Sequence, residues 1–377
     1  MPFRLLRLEF RNISVFSDEF VIDFTASDRV VAGQHVSSVT NVVSSQNIVA
    51  LVGINAAGKT SALRLVDLAL SIVASRLSLD QIPSAPQFLS RGSIMVVDFF
   101  QDGMFYRLES EFTLNGDRLV YADERLYGKR MSLVRSRARL FEYSEDMLIH
   151  SRMDLVSQLR GFMKDDDSIV MALTAPSCPI SGVLSHLCER FSFLDGAIEP
   201  AYLHVFDRSL DEVCLEDGVV RVRFNNDGSA RRVRDDRISD LLSSGTIKGT
   251  QLFHVAADVL AGGGYLLVDE IEDNLNKRLV QLLIDFFQDG EVNTKGAVLV
   301  FSIHYAEIVD SVKRKDNIYV MRKSRDGGCS TVRYSDVIGR NDVKKSEVLL
   351  SNLIEGTAPS YEDVQAVKDF MCRRISG

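Results

Sequence analysis

The segment from Gly53 to Thr60 constrains the fold of this 377-residue chain more than any other stretch. It reads Gly-Ile-Asn-Ala-Ala-Gly-Lys-Thr and fits G-x-x-x-x-G-K-[ST], the spacing of a phosphate-binding loop. The uncharged run at residues 47–52 ends directly before it and predicts a buried strand, and residues 61–70 predict a helix after it. Because the loop pattern requires this strand–loop–helix context, the segment predicts an α/β fold rather than an ordinary Gly/Ala-rich turn.

The same loop predicts a nucleotide site. Its backbone N–H groups can surround phosphates, Lys59 can reach the β- and γ-phosphates, and the Thr60 hydroxyl can ligate Mg²⁺. The predicted cofactors are therefore ATP and Mg²⁺. The predicted nucleotide-binding residues are Gly53, Asn55, Ala56, Ala57, Gly58, Lys59, Thr60 and Ser61.

Composition narrows the class of protein. Apolar residues make up 46% of the chain, so a sizeable core can be buried, and the net charge of -8 gives no global basic field for nucleic acid. No apolar run is long enough to span a membrane, and the N-terminus lacks the apolar core of a signal peptide. We therefore expect a cytoplasmic protein. Scattered cysteines without C-x-x-C spacing favour reduced thiols over disulfides or a zinc site: Cys178, Cys188, Cys214, Cys329 and Cys372.

Hydrophobic periodicity predicts a division of the chain into four parts. Two strands are expected near the N-terminus, and hairpins are expected to turn at Asp102-Gly103 and at residues 225–228. The parts are an N-terminal antiparallel β lobe with the loop and first helix (1–122), a helical insertion or arm (123–205), a second half of alternating helices and strands (206–350) and a helical tail (351–377).

A second motif lies far along the chain. Tyr265 begins an apolar run that ends in two acids, Asp269 and Glu270, and predicts a buried strand. Beside a phosphate loop, Asp269 is predicted to hold the Mg²⁺ shell and Glu270 to orient and deprotonate the attacking water. Two adjacent acids are also typical of a solvated strand end, so this interpretation depends on the loop.

Two further elements complete the predicted site. His304 follows another apolar strand and can contact the γ-phosphate and the water, although a surface His is the simpler alternative. Ser243, Ser244 and Gly245 open a predicted helix, whose first N–H groups and dipole can bind an anion. A plain helix cap is the alternative for this triplet.

Loop, Ser-Ser-Gly, Asp-Glu and His occur in the order found in ABC-type ATPases. The chain resembles the ABC-type heads of the RecF/SMC class and, more closely, bacterial AAA-type ATPases of the overcoming-lysogenization-defect group. Residues 53–60 match that group's G-x-N-A-x-G-K-[ST], residues 242–246 match its signature, and residues 269–272 resemble its Walker B extension. Leu275-Asn276 stands where the group usually has Leu-His.

This resemblance implies a P-loop ATPase with an ABC-type head that dimerises head to tail. ATP at Lys59 of one chain would meet Ser244 and Gly245 of the other, in a homodimer or a higher homo-oligomer. The glutamine that senses Mg²⁺ in such heads would be Gln87 or Gln101.

The resemblance extends to ATPases of the PARIS and Septu anti-phage systems, in which a separate effector acts. Residues after His304 show no acids resembling a nuclease site, so we expect the effector, a nuclease or toxin, in a partner chain. The alternative is a DNA-repair or chromosome-maintenance ATPase that clamps DNA through a basic surface. Candidate basic groups, each otherwise a solvated face, are Arg135, Arg137 and Arg139; Arg231, Arg232, Arg234 and Arg237; and Lys313, Arg314 and Lys315.

Overall fold

The computed structural model describes residues 3–17, 19–27, 30, 35–158, 162–184, 196–273, 275–323, 327–340, 343–358 and 361–376. The strands within these residues are β1 (Arg4–Arg11), β2 (Phe20–Asp23), β3 (Val36–Ser38), β4 (Ser44–Gln46), β5 (Ile48–Val52), β6 (Ile94–Gln101), β7 (Met104–Asn115), β8 (Arg118–Arg130), β9 (Leu148–Ser151), β10 (Ile180–Leu184), β11 (Gly196–Ala197), β12 (Leu210–Glu216), β13 (Val219–Phe224), β14 (Arg231–Arg234), β15 (Tyr265–Val268), β16 (Val298–Ile303), β17 (Ile318–Lys323) and β18 (Cys329–Arg333). The α-helices are α1 (Lys59–Val73), α2 (Ala85–Phe88), α3 (Arg152–Gln158), α4 (Pro200–Phe206), α5 (Ser244–Gly262), α6 (Lys277–Gln288), α7 (Ala306–Val309), α8 (Tyr334–Val337), α9 (Lys345–Leu350) and α10 (Tyr361–Ser376).

Six strands form a mostly parallel core sheet in the order β10-β15-β16-β5-β17-β18, in which β18 runs antiparallel to β17. The buried strand predicted at residues 47–52 is confirmed as β5. Val49 and Leu51 pack on one face of the sheet, and Ala50 and Val52 pack on the other. A strand buried on both faces reads as a continuous apolar run, which explains why β5 shows no polar alternation. The chain is therefore a mixed α/β protein.

Helices cover both faces of the core sheet. Leu65 and Leu68 of α1 belong to the same apolar cluster as Val49. On the opposite face, Leu252 of α5 and Leu283 of α6 pack in a second cluster. Because the paired strands β5, β15 and β16 are parallel, their carboxyl ends lie at one edge of the sheet, where ligand sites of α/β proteins usually form.

The N-terminal β lobe is an antiparallel sheet in the order β2-β1-β6-β7-β8-β9. Both predicted N-terminal strands and the hairpin at Asp102-Gly103 are confirmed, as β1, β2 and the pair β6–β7. Tyr265 at the start of β15 links this sheet to the core sheet. Its hydroxyl accepts a 2.7 Å hydrogen bond from the Leu5 N–H, and its ring packs against Phe3.

A smaller antiparallel sheet has the order β11-β12-β13-β14. It contains the second predicted hairpin, in which Val219 of β13 pairs with Arg234 of β14. Leu203 of α4, Val213 of β12 and Ile247 of α5 form part of a separate apolar cluster beneath it. The small sheet therefore lies directly against the first turn of α5, the helix that the Ser-Ser-Gly triplet begins.

The helical insertion predicted at 123–205 is wrong for the part of this segment that the structure describes. β8 continues to Arg130, β9 follows, and β10 pairs with β15 in the core sheet. α3 and α4 in this part are seven residues each. The two-residue period of β8 is hidden because it buries two charged residues, Glu124 and Lys129. Residues 185–195 of the predicted arm, with Cys188, lie outside the described residues.

The C-terminal part contains a packed helix and an exposed one. Val348 and Leu349 of α9 are buried in the cluster beneath the core sheet. α10 is the helix predicted for the tail, and its described side chains are mostly exposed. Among the described residues, none of the helices combines the length and the apolar content needed to cross a membrane.

Candidate active site

The loop between β5 and α1 needs its particular residues for steric reasons. A Cβ atom at Gly53 would lie 2.3 Å from the Met321 carbonyl oxygen on β17, so only glycine fits there. Ala56 and Gly58 have φ angles of 59° and 90°, in the left-handed region that most residues avoid. These turns end the loop at the first residue of α1, Lys59, so the open N–H groups of a 15-residue helix face the loop.

Lys59 is buried at the centre of this edge. Its ammonium donates to the carbonyl oxygens of Gly53 and Ile54 at 2.8 and 3.0 Å, and it lies 3.2 Å from His304 Nδ1. Burial lowers the pKa of Lys59, and the nearby Glu272 carboxylate opposes that shift. Glu270 and Asp269 oppose it as well. One lysine therefore faces three carboxylates, a balance that leaves room for a divalent cation.

Asp269 connects the loop to the end of β15. Its Oδ2 accepts a 2.7 Å hydrogen bond from the Thr60 hydroxyl at the start of α1. Its Oδ1 accepts a 2.5 Å hydrogen bond from Ser302 on β16. The Ser302 oxygen in turn accepts the Glu270 N–H at 2.7 Å. Ser302 thereby holds Asp269 in place and supports the left-handed backbone of Glu270, whose φ is 50°.

His304 follows β16 and bridges Lys59 to Glu270. Lys59 can only donate, so His304 Nδ1 is the acceptor and the proton of the neutral ring is on Nε2. Nε2 lies 3.1 Å from Glu270 Oε1 and can donate to it. The Glu270 side chain is 47% exposed and that of His304 is 30% exposed, so both remain accessible to a ligand.

Glu272 is a further polar group at this edge of the core sheet. One of its oxygens accepts a 2.6 Å hydrogen bond from the His304 backbone N–H. The other oxygen is buried and has no hydrogen-bond partner among the described residues. Burial raises the pKa of Glu272, and the His304 N–H lowers it. The unpaired oxygen indicates that this edge is arranged to receive a further donor or cation.

Five of these groups, Lys59, Thr60, Glu270, Glu272 and His304, line a cavity of about 800 Å³. The helix N-terminus and Lys59 provide positive potential for phosphate groups. Thr60 and Asp269 provide oxygen ligands suited to Mg²⁺, which usually takes one or two protein ligands and completes its shell with water and phosphate. The lining residues are Val15, Asn55, Ala56, Ala57, Gly58, Lys59, Thr60, Ser61, Glu270, Glu272, Asp273, His304, Tyr305 and Cys329.

The Ser-Ser-Gly triplet does not line this cavity. Ser243 is the N-cap of α5, and its hydroxyl accepts a 3.1 Å hydrogen bond from the Thr246 N–H. The Ser244 hydroxyl is buried and has no hydrogen-bond partner among the described residues. The capping alternative thus describes Ser243 and does not account for the buried Ser244 hydroxyl.

Neither predicted Mg²⁺-sensing glutamine lines the cavity. Gln101 is buried, and its Nε2 donates to the Thr174 carbonyl oxygen at 2.7 Å. The Gln87 amide oxygen accepts from Arg64 at 3.4 Å. Within the described residues, neither side chain is hydrogen-bonded to the loop or to the acids at the end of β15.

Several residues in or beside the cavity were not singled out from the sequence. Ser302 donates to Asp269, and Glu272 accepts from the backbone N–H of His304. Cys329 lies beside Gly58, and a Cβ atom added at Gly58 would lie 3.1 Å from the Cys329 Sγ. Ser302 has a local signal, a hydroxyl two residues before His304 within an apolar strand. Cys329 and Val15 have none, because their approach to the loop depends on the pairing of Phe16 with Cys329 across distant chain segments.

The structure brings five predicted residues together from three strand ends: Lys59, Thr60, Asp269, Glu270 and His304. No protein-family model matches this chain, and no curated protein matches it at a significant level. What the chain does therefore has to be inferred from its own residues.

Proposed function

We propose that this chain is an ATPase that binds ATP with Mg²⁺ and hydrolyses it to ADP and phosphate, in a P-loop fold with an ABC-type head. One observation carries the proposal: the Thr60 hydroxyl of the loop lies 2.7 Å from Asp269, 209 positions later in the chain. The two motifs lie far apart in the sequence, and the interpretation of the Asp-Glu motif depends on the loop, so their meeting in space supports a common function. His304 at the end of the intervening strand adds to this support.

Each residue has a defined role in this proposal. Thr60 and Asp269 would hold Mg²⁺, which offsets the negative charge of the phosphates when bound. Lys59 would exchange its bonds to the Gly53 and Ile54 carbonyls for bonds to phosphate oxygens. Glu270 would accept a proton from the attacking water, and the Nε2–H of His304 would keep its carboxylate oriented.

A head-to-tail dimer is part of the proposal. Ser243, Ser244 and Gly245 open a 19-residue helix whose free N–H groups lie away from the cavity of the same chain. An anion held at this helix end would come from the nucleotide of a second copy. The Ser244 hydroxyl has no hydrogen-bond partner among the described residues, which supports that arrangement.

For the biological role, we propose a sensor or regulator of a bacterial anti-phage defence system that acts on a separate effector chain. The support is the resemblance of the four motifs to ATPases of such systems. Protection of cells against phage, and co-purification of an effector, test this role. A chain that gives no protection and captures no partner under ATP-bound conditions would contradict it.

The alternative, a DNA clamp, needs a basic surface with available charge. Three arginines of the cluster on the small sheet are paired with acids, namely Arg231 with Asp227, Arg234 with Asp236 and Arg237 with Asp240. Paired arginines present little net positive potential, so the proposed defence role is preferred. A salt-dependent affinity for duplex DNA would reverse that preference.

The ATPase proposal is tested by measuring the rate of ATP hydrolysis and the mass of the assembly that the chain forms. We expect Mg²⁺-dependent ATP hydrolysis by the wild type and its loss after chelation of the metal. Lys59→Ala should lose ATP binding, whereas Glu270→Gln should bind ATP, stop hydrolysing and accumulate as a dimer or larger assembly. Glu307→Gln is the matched control, because Glu307 is an exposed acid of α7 outside the cavity.

The outcomes separate the parts of the proposal. Unchanged hydrolysis in Glu270→Gln would mean that Glu270 is not the base. ATP binding without any mass change in Glu270→Gln would contradict the head-to-tail dimer alone.

A further inference from the structure

α10 carries an apolar stripe that the described part of the chain leaves exposed. Its large apolar side chains are between 43% and 84% exposed, and no α10 residue belongs to a buried apolar cluster of the described residues. Positions three or four apart lie on one helix face, so most of these side chains form one stripe along the helix. The stripe consists of Tyr361, Val364, Val367, Phe370, Met371 and Ile375.

The stripe is nearly symmetric about Lys368. Val367 and Phe370 lie one position before it and two after it, and Val364 and Met371 lie four before and three after. Tyr361 and Ile375 each lie seven positions away. Two copies of such a helix running in opposite directions place apolar residues against apolar residues on both sides of Lys368, and the two Lys368 side chains lie beside each other near the two-fold axis.

Charge favours the same arrangement. Glu362 lies in the first turn of α10, and Arg373 and Arg374 lie in the last turn. In a parallel pair, both arginines would stand beside their copies, and the two helix dipoles would be aligned. In an antiparallel pair, the basic last turn lies beside the acidic first turn of the partner, and the dipoles oppose each other.

We propose that α10 is a self-association surface that pairs antiparallel with α10 of a second copy of this chain. Burial of the stripe from two helices would cover on the order of 1,000 Å² in total, near the lower limit for a specific interface. We therefore expect a dissociation constant in roughly the micromolar range. This interface is independent of the nucleotide site, so together with a head-to-tail dimer it would link dimers into larger assemblies.

The surface is tested by sedimentation velocity on the full chain without nucleotide, over a concentration series. Val367→Glu places a charge in the stripe and should weaken self-association at least tenfold. Ala366→Glu adds the same charge on the opposite face of α10 and should change it less than twofold. A wild type that stays monomeric throughout, or equal effects of the two variants, would overturn the proposal.

The orientation is tested by disulfide trapping. Val364 lies four positions before Lys368 and Met371 lies three after it, and both lie on the stripe, so these two positions meet only in an antiparallel pair. In a Cys372→Ser background, Val364→Cys with Met371→Cys should give a covalent dimer on mild oxidation, and Val364→Cys alone should not. Trapping of the variant with Val364→Cys alone would contradict the antiparallel orientation. Lys59→Ala should self-associate like the wild type, which separates this proposal from the ATPase proposal.

Discussion

Two regions of this molecule contain buried or half-buried carboxylates, and the two regions differ in how many hydrogen-bond partners these carboxylates have. In the antiparallel sheet, Glu124 is fully buried, and both of its oxygens are satisfied. One oxygen accepts from the hydroxyls of Ser110 and Ser168 at 3.2 and 2.7 Å. The other accepts from Arg152 at 2.8 Å and from the Ile169 N–H at 3.0 Å.

At the carboxyl edge of the core sheet, the carboxylates of Glu270 and Glu272 have fewer hydrogen-bond partners. Glu270 is about half exposed and lies within reach of a single histidine, and one oxygen of Glu272 has no partner among the described residues. Three carboxylates face one lysine there. A satisfied network stabilises a fold, whereas an incomplete one costs stability and is retained where a ligand completes it. The difference supports our proposal that the carboxyl edge of the core sheet, and not the antiparallel sheet, is the reactive region.

The largest expected effect concerns the satisfied region. Arg152→Ala leaves the buried carboxylate of Glu124 unpaired and frees the carbonyls of Asp165 and Asp167, so the free energy of unfolding should fall by about 3–5 kcal/mol. Hydrolysis per folded molecule should not change. The measurement is urea unfolding. Arg237→Ala, which removes one side of an exposed ion pair with Asp240, is the control and should cost less than about 0.5 kcal/mol.

Asp269→Asn tests the carboxyl edge of the core sheet by removing the charge of one carboxylate. We expect hydrolysis to fall by about 10²–10³-fold, because the amide cannot offer a charged oxygen to Mg²⁺. The free energy of unfolding should fall by about 1–3 kcal/mol, because the amide nitrogen cannot accept the hydrogen bond that Thr60 or Ser302 donates to Asp269. Asp258→Asn, an exposed change on α5, is the control for both measurements. Loss of stability without loss of activity would assign Asp269 a structural role.

Ser302→Ala is expected to affect both stability and hydrolysis. Ser302 is buried and joins Asp269 to the Glu270 N–H, so its loss leaves both unsupported. We expect a fall of about 1–3 kcal/mol in stability and a fall of roughly tenfold in kcat with little change in KM for ATP. Ser302→Thr keeps the hydroxyl and should recover part of kcat. A stability loss without any change in kcat would make Ser302 a purely structural residue.

The smallest effect is expected at Asn276, where the chain departs from the group that it resembles. Its side-chain oxygen accepts a 3.1 Å hydrogen bond from the Leu279 N–H and caps α6. Asn276→Ala should lower stability by about 1 kcal/mol and leave hydrolysis unchanged. Asn276→Asp keeps the cap and should restore stability. A change of tenfold or more in hydrolysis would place this position in the chemistry.

Local patterns predicted the elements that depend on neighbouring residues. The strand before Gly53, the hairpin at Asp102-Gly103 and the helix opening at Ser244 were all predictable, because each follows from turn chemistry, capping or a continuous apolar run. The segment around β8 and β10 was not. β8 contains buried charges that are satisfied by residues outside the strand, such as Arg152 for Glu124, and β10 pairs with β15 much later in the chain. No local pattern reports such pairing.

The sequence by itself determined which side chains could perform the proposed chemistry, since the loop, the two acids and the histidine each follow an apolar strand. Only the tertiary structure decided that they meet. β16 lies between β5 and β15, which places His304 against both Lys59 and Glu270 and puts Ser302 beneath Asp269. Strand order is set by the packing of helices on both faces of the whole sheet, a non-local balance that spacing along the chain does not contain.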